Sequence, residues 1–81
     1  MDKSIHTDQY KLMVNLLREE RISRLLTQEQ LASKLNIKQS VISKIETCER
    51  RIDFIELRQI CQAIGINLIT FINKFEERIE L

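Results

Sequence analysis

Proline is absent from this 81-residue sequence, and glycine occurs once. The two residues that most often interrupt helices are thus nearly missing, while Leu, Ile, Glu, Lys, Arg and Gln dominate. That composition predicts helices joined by short turns. No run alternates apolar and polar residues at period two for long enough to make a convincing strand, so the expected class is all-α. An excess of charge is lacking too: 13 Lys and Arg stand against 12 Asp and Glu, a net charge of +1. A strongly basic chain, the usual composition of a nucleic-acid binder, is excluded, and any such function has to rest on local charge. Two cysteines, Cys48 and Cys61, and one histidine, His6, do not form a zinc-ligand pattern. Both are expected as free thiols, Cys61 in the core and Cys48 on a turn, with a Cys48–Cys61 disulfide the weaker alternative. Neither a signal-peptide apolar run nor anything near the roughly 20 apolar residues of a membrane span is found. The chain is expected to be soluble and cytoplasmic, with no membrane partner. There is no Ser-His-Asp set, metal cluster or glycine-rich phosphate loop, so neither an enzyme nor a cofactor is expected.

Eighty-one residues make one domain with a modest core, whose stability calls for efficient helix packing or association of two copies. The first helix is expected from Thr7 or Asp8 to about Arg24, with Tyr10, Met13, Leu17 and Arg21 at helical spacing and Leu12, Val14 and Leu16 widening the face. Thr27 with Gln30 reads as a capping box opening a second helix that buries Leu31, Ala32 and Leu35. Asn36 tolerates the left-handed conformation that would end it, and Ile37 is expected to re-enter the core. A third helix follows from Gln39 to Glu46. Asp53 and Glu56 repeat the capping pattern before the stripe Leu57, Ile60, Cys61 and Ile64, which Gly65 stops and Ile66 closes. Asn67 then caps a last helix, about residues 68–79, carrying Leu68, Ile69, Phe71, Ile72, Phe75 and Ile79.

The window Gln28–Thr47 meets the joint demands of two short helices crossing at about 90 to 120 degrees. Ala32 is small at the crossing, Asn36 suits the turn, and Leu31, Leu35, Ile37, Ile42 and Ile45 fill the corner. Charge is locally basic here. Between Lys34 and Arg51, five cations (Lys34, Lys38, Lys44, Arg50 and Arg51) meet two anions (Glu46 and Glu49), leaving +3 for the segment and −2 for the rest. On a wheel of the third helix, Val41, Ile42 and Ile45 take one arc and Gln39, Ser40, Ser43 and Lys44 the other. That outer arc has no acid and offers groups suited to base edges, with Val41 at its border able to touch a thymine methyl. A merely solvated face would look the same on the wheel alone.

The stretch LTQEQLASKLNIKQSVISKIE, followed by IELRQICQAIGI, resembles the Cro and phage-repressor type of helix-turn-helix domain, the XRE family, over roughly Met13 to Phe75. The resemblance implies a five-helix bundle whose third helix reads double-stranded DNA, usually as a homodimer on a palindromic operator. It puts Gln28 on a phosphate-contacting position that buttresses Gln39, and Ser40 and Lys44 on further base-reading positions. It also implies an arginine–carboxylate pair between Arg21 and Glu46, against two solvated charges or Arg24 as the alternative partner. Three departures bear on loop geometry. Lys38 stands where Ser or Thr usually caps, and it could reach a phosphate instead. Leu25 replaces the glycine before the second helix, and Thr47-Cys48 replaces the glycine after the third. Arg50 and Arg51 are phosphate candidates or simply solubilising. The last helix carries more apolar residues than one face buries, with Ile69 and Leu81 off the core side, so Ile69 and Ile72 are the expected dimer contact. The reading is a dimeric repressor. Alternatives are an antitoxin with a toxin partner, a restriction–modification controller, or a protein–protein adaptor that does not read DNA.

Overall fold

The computed structural model describes residues 7–80; His6 and Leu81 lie outside the described residues, as does any expectation placed on them. Five helices and no strand are found among them: α1 Asp8–Ser23, α2 Gln28–Leu35, α3 Gln39–Glu46, α4 Phe54–Ile64 and α5 Leu68–Glu80. Local chemistry sets most of the ends. Thr7 caps α1 through its hydroxyl, which accepts from Tyr10 N at 3.1 Å. At α2 the Thr27 hydroxyl accepts from Gln30 N at 3.0 Å, while the Gln30 amide oxygen accepts from Thr27 N at 2.9 Å. Asp53 and Glu56 make the same reciprocal pair at α4, at 2.8 and 3.0 Å. Asn67 Oδ1 accepts from Ile69 N at 2.8 Å at the start of α5.

Asn36 ends α2 at φ 56°, and Gly65 ends α4 at φ 102°. The α4–α5 corner turns by 107°. Helix α1 spans the bundle and packs against α3, α4 and α5, while α2 lies against α3 and α4. Leu16, Leu31, Ile42, Cys61 and Phe71 are among the fully buried side chains, so every helix contributes to one core. Ile52 and Ile66 seal it from the two loops. Tyr10 anchors the α3–α4 loop from α1: its hydroxyl oxygen accepts from Ile52 N at 3.0 Å.

One expected core residue is displaced. Ile37 is 40% exposed rather than buried. Asn36 turns the chain so sharply that Ile37 N still donates to Ala32 O, and the side chain is left at the rim of a cleft of about 110 Å³ with Leu35, Val41 and Ile60. Cys48 is half-buried and Cys61 is buried, and both are free. Among the described residues no single helix is long and apolar enough to cross a membrane, and no cluster of His, Cys, Asp or Glu could hold a metal.

Candidate nucleic-acid interface

Helix α3 lies against α1 and α2 by Ile42 and Ile45, which are nearly inaccessible. With that arc turned inward, Gln39, Ser40 and Lys44 are exposed and Ser43 is half-buried. The first turn of α3 contains no acid, and its N-cap residue, Lys38, makes no side-chain cap bond. Unsatisfied first-turn amides and an exposed lysine are thereby left together at the end of a helix dipole, a setting that favours anions. Val41 is half-buried against the core and lines the cleft beside Ile37, further from open solvent than its neighbours Gln39 and Ser40.

A hydrogen-bonded chain ties this face to the scaffold. Gln39 Nε2 donates to Gln28 Oε1 at 2.6 Å, and Gln28 Nε2 donates to Glu46 Oε1 at 2.9 Å. Arg21 then grips the same carboxylate as a fork, Nε to Oε2 at 2.7 Å and Nη2 to Oε1 at 3.0 Å. Its remaining Nη1 donates to the carbonyl of Leu26 at 2.6 Å. The Arg21 and Glu46 side chains are only 9% and 7% exposed, so this is a buried, bidentate pair. The four residues come from α1, α2 and both ends of α3. Arg24, the alternative partner, is instead bonded to Glu20 at 2.6 Å. Because Gln28 gives one of its two amide N–H groups to Glu46 and its carbonyl to Gln39, its orientation is set from below with one N–H left over, and it sets that of Gln39 in turn.

The turns beside the chain are left-handed at residues that disfavour it. Leu25, between α1 and α2, has φ 59°, and Cys48, after α3, has φ 62°. Leu25 is 89% exposed, and the next residue supplies the carbonyl that Arg21 binds. After α3, the amides of Glu49 and Arg50 both fold back onto Lys44 O, and the Thr47 hydroxyl donates to Glu49 Oε2 at 2.6 Å. Arg50 is not an open cation: its Nη2 donates to Glu56 Oε2 at 2.8 Å. The Asp53 amide first, and then Arg50, hold the Glu56 carboxyl below the usual carboxylate range. Lys38, Lys44 and Arg51 form no ion pair among the described residues.

Sequence reasoning had no means of finding a second polar cluster, behind α1. Glu20 is buried, and it accepts from Lys74 Nζ at 2.8 Å and from Arg24 Nη1 at 2.6 Å. The Lys74 bond, offset in part by desolvation, leaves its carboxyl below the ordinary range. One residue earlier, Glu19 accepts from Arg78 Nη2 at 2.7 Å and from Nη1 at 3.0 Å. Together these pairs strap α5 to α1. On α5 itself Ile69 is 69% exposed, and Ile72 is half-buried.

Comparison with known proteins agrees with this architecture. The helix-turn-helix family matches residues 17–71. An XRE-family like protein from Pseudomonas syringae pv. tomato is similar over 95% of this chain and 94% of its own, at 38% identity and a TM-score of 0.86. The wild-type restriction-modification controller protein C.Esp1396I shares the fold at a TM-score of 0.86 and 22% identity, over 94% of this chain and 100% of that one. The same controller, solved as a tetramer in complex with its natural 35 base-pair operator, aligns at a TM-score of 0.85 and 22% identity, over the same shares of the two chains. No curated protein sequence matches significantly. With more than half of its length matched by the helix-turn-helix family and an XRE-family relative at 38% identity along almost all of it, this chain belongs to the XRE family of helix-turn-helix proteins.

Proposed function

We propose that this chain is a sequence-specific, DNA-binding transcriptional regulator, a repressor that acts as a homodimer and reads the major groove with α3. The observation that carries the reading is the chain Gln39–Gln28–Glu46–Arg21, which runs from a buried ion pair to an exposed amide on an acid-free helix face. Preorganisation of that kind lowers the ordering cost of contacting a base. Gln39, Ser40, Ser43 and Lys44 are the base-reading set, with Val41 at its edge. Gln with adenine and Lys with guanine are the pairings that groove chemistry favours. Gln28, Lys38 and Arg51 take phosphates, and Arg50 does so only by releasing Glu56.

Two copies are needed because the described chain measures 33 × 26 × 20 Å and holds a single α3. Half-sites recognised by such dimers lie about 34 Å apart. Ile69 and Ile72 are the proposed contact between copies. Ile69→Glu is expected to shift sedimentation equilibrium from dimer to folded monomer, and a wild-type chain that stays monomeric removes the interface. The C.Esp1396I controller on its operator supports assembly on DNA as the working state of this fold, at the level of likeness that 22% identity allows. Control of a restriction–modification operon and antitoxin action remain subtypes of the same DNA-binding reading. It requires no cofactor and no catalytic step, and it places the chain in the cytoplasm. Selection of bound sites from random DNA is the test. Enrichment of a two-fold symmetric motif supports the proposal, and a selection that enriches nothing favours an adaptor.

A further inference from the structure

Among the described residues Glu46 has two cationic neighbours, and it neutralises one of them. Its carboxylate oxygens are taken by the Arg21 fork and by the Gln28 amide, at 2.7 to 3.0 Å. Arg18 stands one turn earlier on α1, with Nε 3.9 Å from Glu46 Oε1, beyond hydrogen-bond reach. Its side chain is 56% exposed, whereas Arg21 is almost sealed. The cluster of Arg18, Arg21 and Glu46 therefore carries one surplus positive charge, held on the open side. Gln28 approaches the same Oε1 atom, so this charge sits beside the first residue of α2. There the amides of Gln28 and Glu29, which the Thr27–Gln30 capping box does not reach, add a further partial positive charge.

We infer that Arg18 contacts a phosphate of the DNA backbone alongside Gln28, so that α1 takes part in binding; this rests on the DNA-binding function proposed above. The guanidinium is a planar fork that matches phosphate oxygens, and Glu46, the one acid among the described residues within ion-pair distance of it, is already charge-matched by Arg21. Arg50 makes the contrast. It lies in the basic stretch that the sequence singles out, yet Glu56 neutralises it at 2.8 Å. Arg18 lies ten residues upstream of the motif, outside that basic stretch.

The experiment measures how binding of the full chain to a mixed-sequence DNA duplex depends on salt, for wild type, Arg18→Gln and Arg18→Lys. One phosphate contact adds about 0.9 to the slope of log K against log salt. Arg18→Gln is expected to lower the slope by that amount and to weaken binding roughly eightfold at 0.1 M salt, with the unfolding midpoint unmoved. Arg18→Lys keeps most of the slope. A wild-type slope in Arg18→Gln, or a loss of stability with the slope intact, overturns the inference and leaves Arg18 as a support for Glu46. If wild type shows no salt-dependent binding to DNA, the proposed function itself fails and this contact with it. If wild type binds with a slope indifferent to Arg18, only the contact fails.

Discussion

Helix α1 is held on both sides by charge, and the two sides are built differently. On the α3 side, Arg21 and Glu46 are both buried, matched one to one, and their surplus bonding capacity goes to Leu26 O and Gln28. On the α5 side, Glu20 is buried, but its partners Arg24 and Lys74 keep 35% and 45% of their side chains in solvent. Losing one member of the first cluster strands a charge in a dry place. Losing Lys74 or Arg24 leaves Glu20 with the other, and losing Glu20 leaves two cations that water can solvate. The front cluster therefore behaves as a lock with a single geometry. The back cluster behaves as a strap.

The largest effect should come from breaking the lock. Arg21→Ala or Glu46→Ala is expected to cost about 3–5 kcal/mol of stability, the usual result of orphaning one member of a buried pair. In a double-mutant cycle read by urea unfolding, the two should couple by at least about 1 kcal/mol. Coupling near zero would make the front no different from the back. Gln39→Ala cuts the same chain at its solvent end and should separate function from stability. We expect operator affinity to fall by about 1–3 kcal/mol with preference relaxed at one base pair, and Lys44→Ala to do likewise. Unfolding of either variant should match wild type. An intact operator preference in both would detach base reading from this face of α3.

The strap gives a smaller, pH-dependent effect. Glu20 has its carboxyl depressed below 4.5, so its contribution is present above the unfolded-state value and is lost as pH falls through the folded one. Removing it by Glu20→Gln should cost about 1–2 kcal/mol at neutral pH, after discounting for its half-solvated partners. The variant should also show a shallower loss of stability in acid, though Glu19 and Glu56, likewise depressed, retain part of the slope. Acid titration curves that superimpose for the two proteins would argue against this assignment. Smallest is the turn that leads into the lock. A left-handed conformation costs an L-residue roughly 1–2 kcal/mol, and Leu25 adopts one with its side chain in water. Leu25→Gly relieves that strain but frees the unfolded chain, so a net gain of about 0.5–1 kcal/mol is expected in thermal unfolding. A loss there would mean that the turn is unstrained.

The difference between the two clusters also marks how far a single sequence carries. Helix starts were legible because their chemistry lies within four residues: Thr27 with Gln30, and Asp53 with Glu56. Chain reversals were legible at Asn36 and Gly65, where only certain residues tolerate positive φ. The outward arc of α3 followed from helical periodicity once Ile42 and Ile45 were taken as inward. Glu20 gave no such signal. A lone Glu in a helix reads as solvated, and its partner Lys74 stands 54 residues away, brought back only by the corner at Gly65. Ile37 misled for the opposite reason: its apolar side chain suggested burial, but the direction of the chain leaving Asn36 decides which way it faces. The Arg50–Glu56 pair lies only six residues apart, yet it depends on the loop fold set by Cys48 and by Tyr10 holding Ile52.

The unequal surroundings of the two thiols turn the molecule into its own reporter. Cys61 has no accessible surface, and burial pushes its thiol up to about 11, while Cys48 sits half-open on the turn immediately behind α3. A thiol-specific dye offered to the native protein will attach at Cys48 alone, one turn from the proposed reading face, with no residue replaced. Cys61 will stay silent until the bundle opens. Its labelling rate is then a clock for global opening, and the colour or polarisation of the first dye becomes a gauge of what docks beside α3.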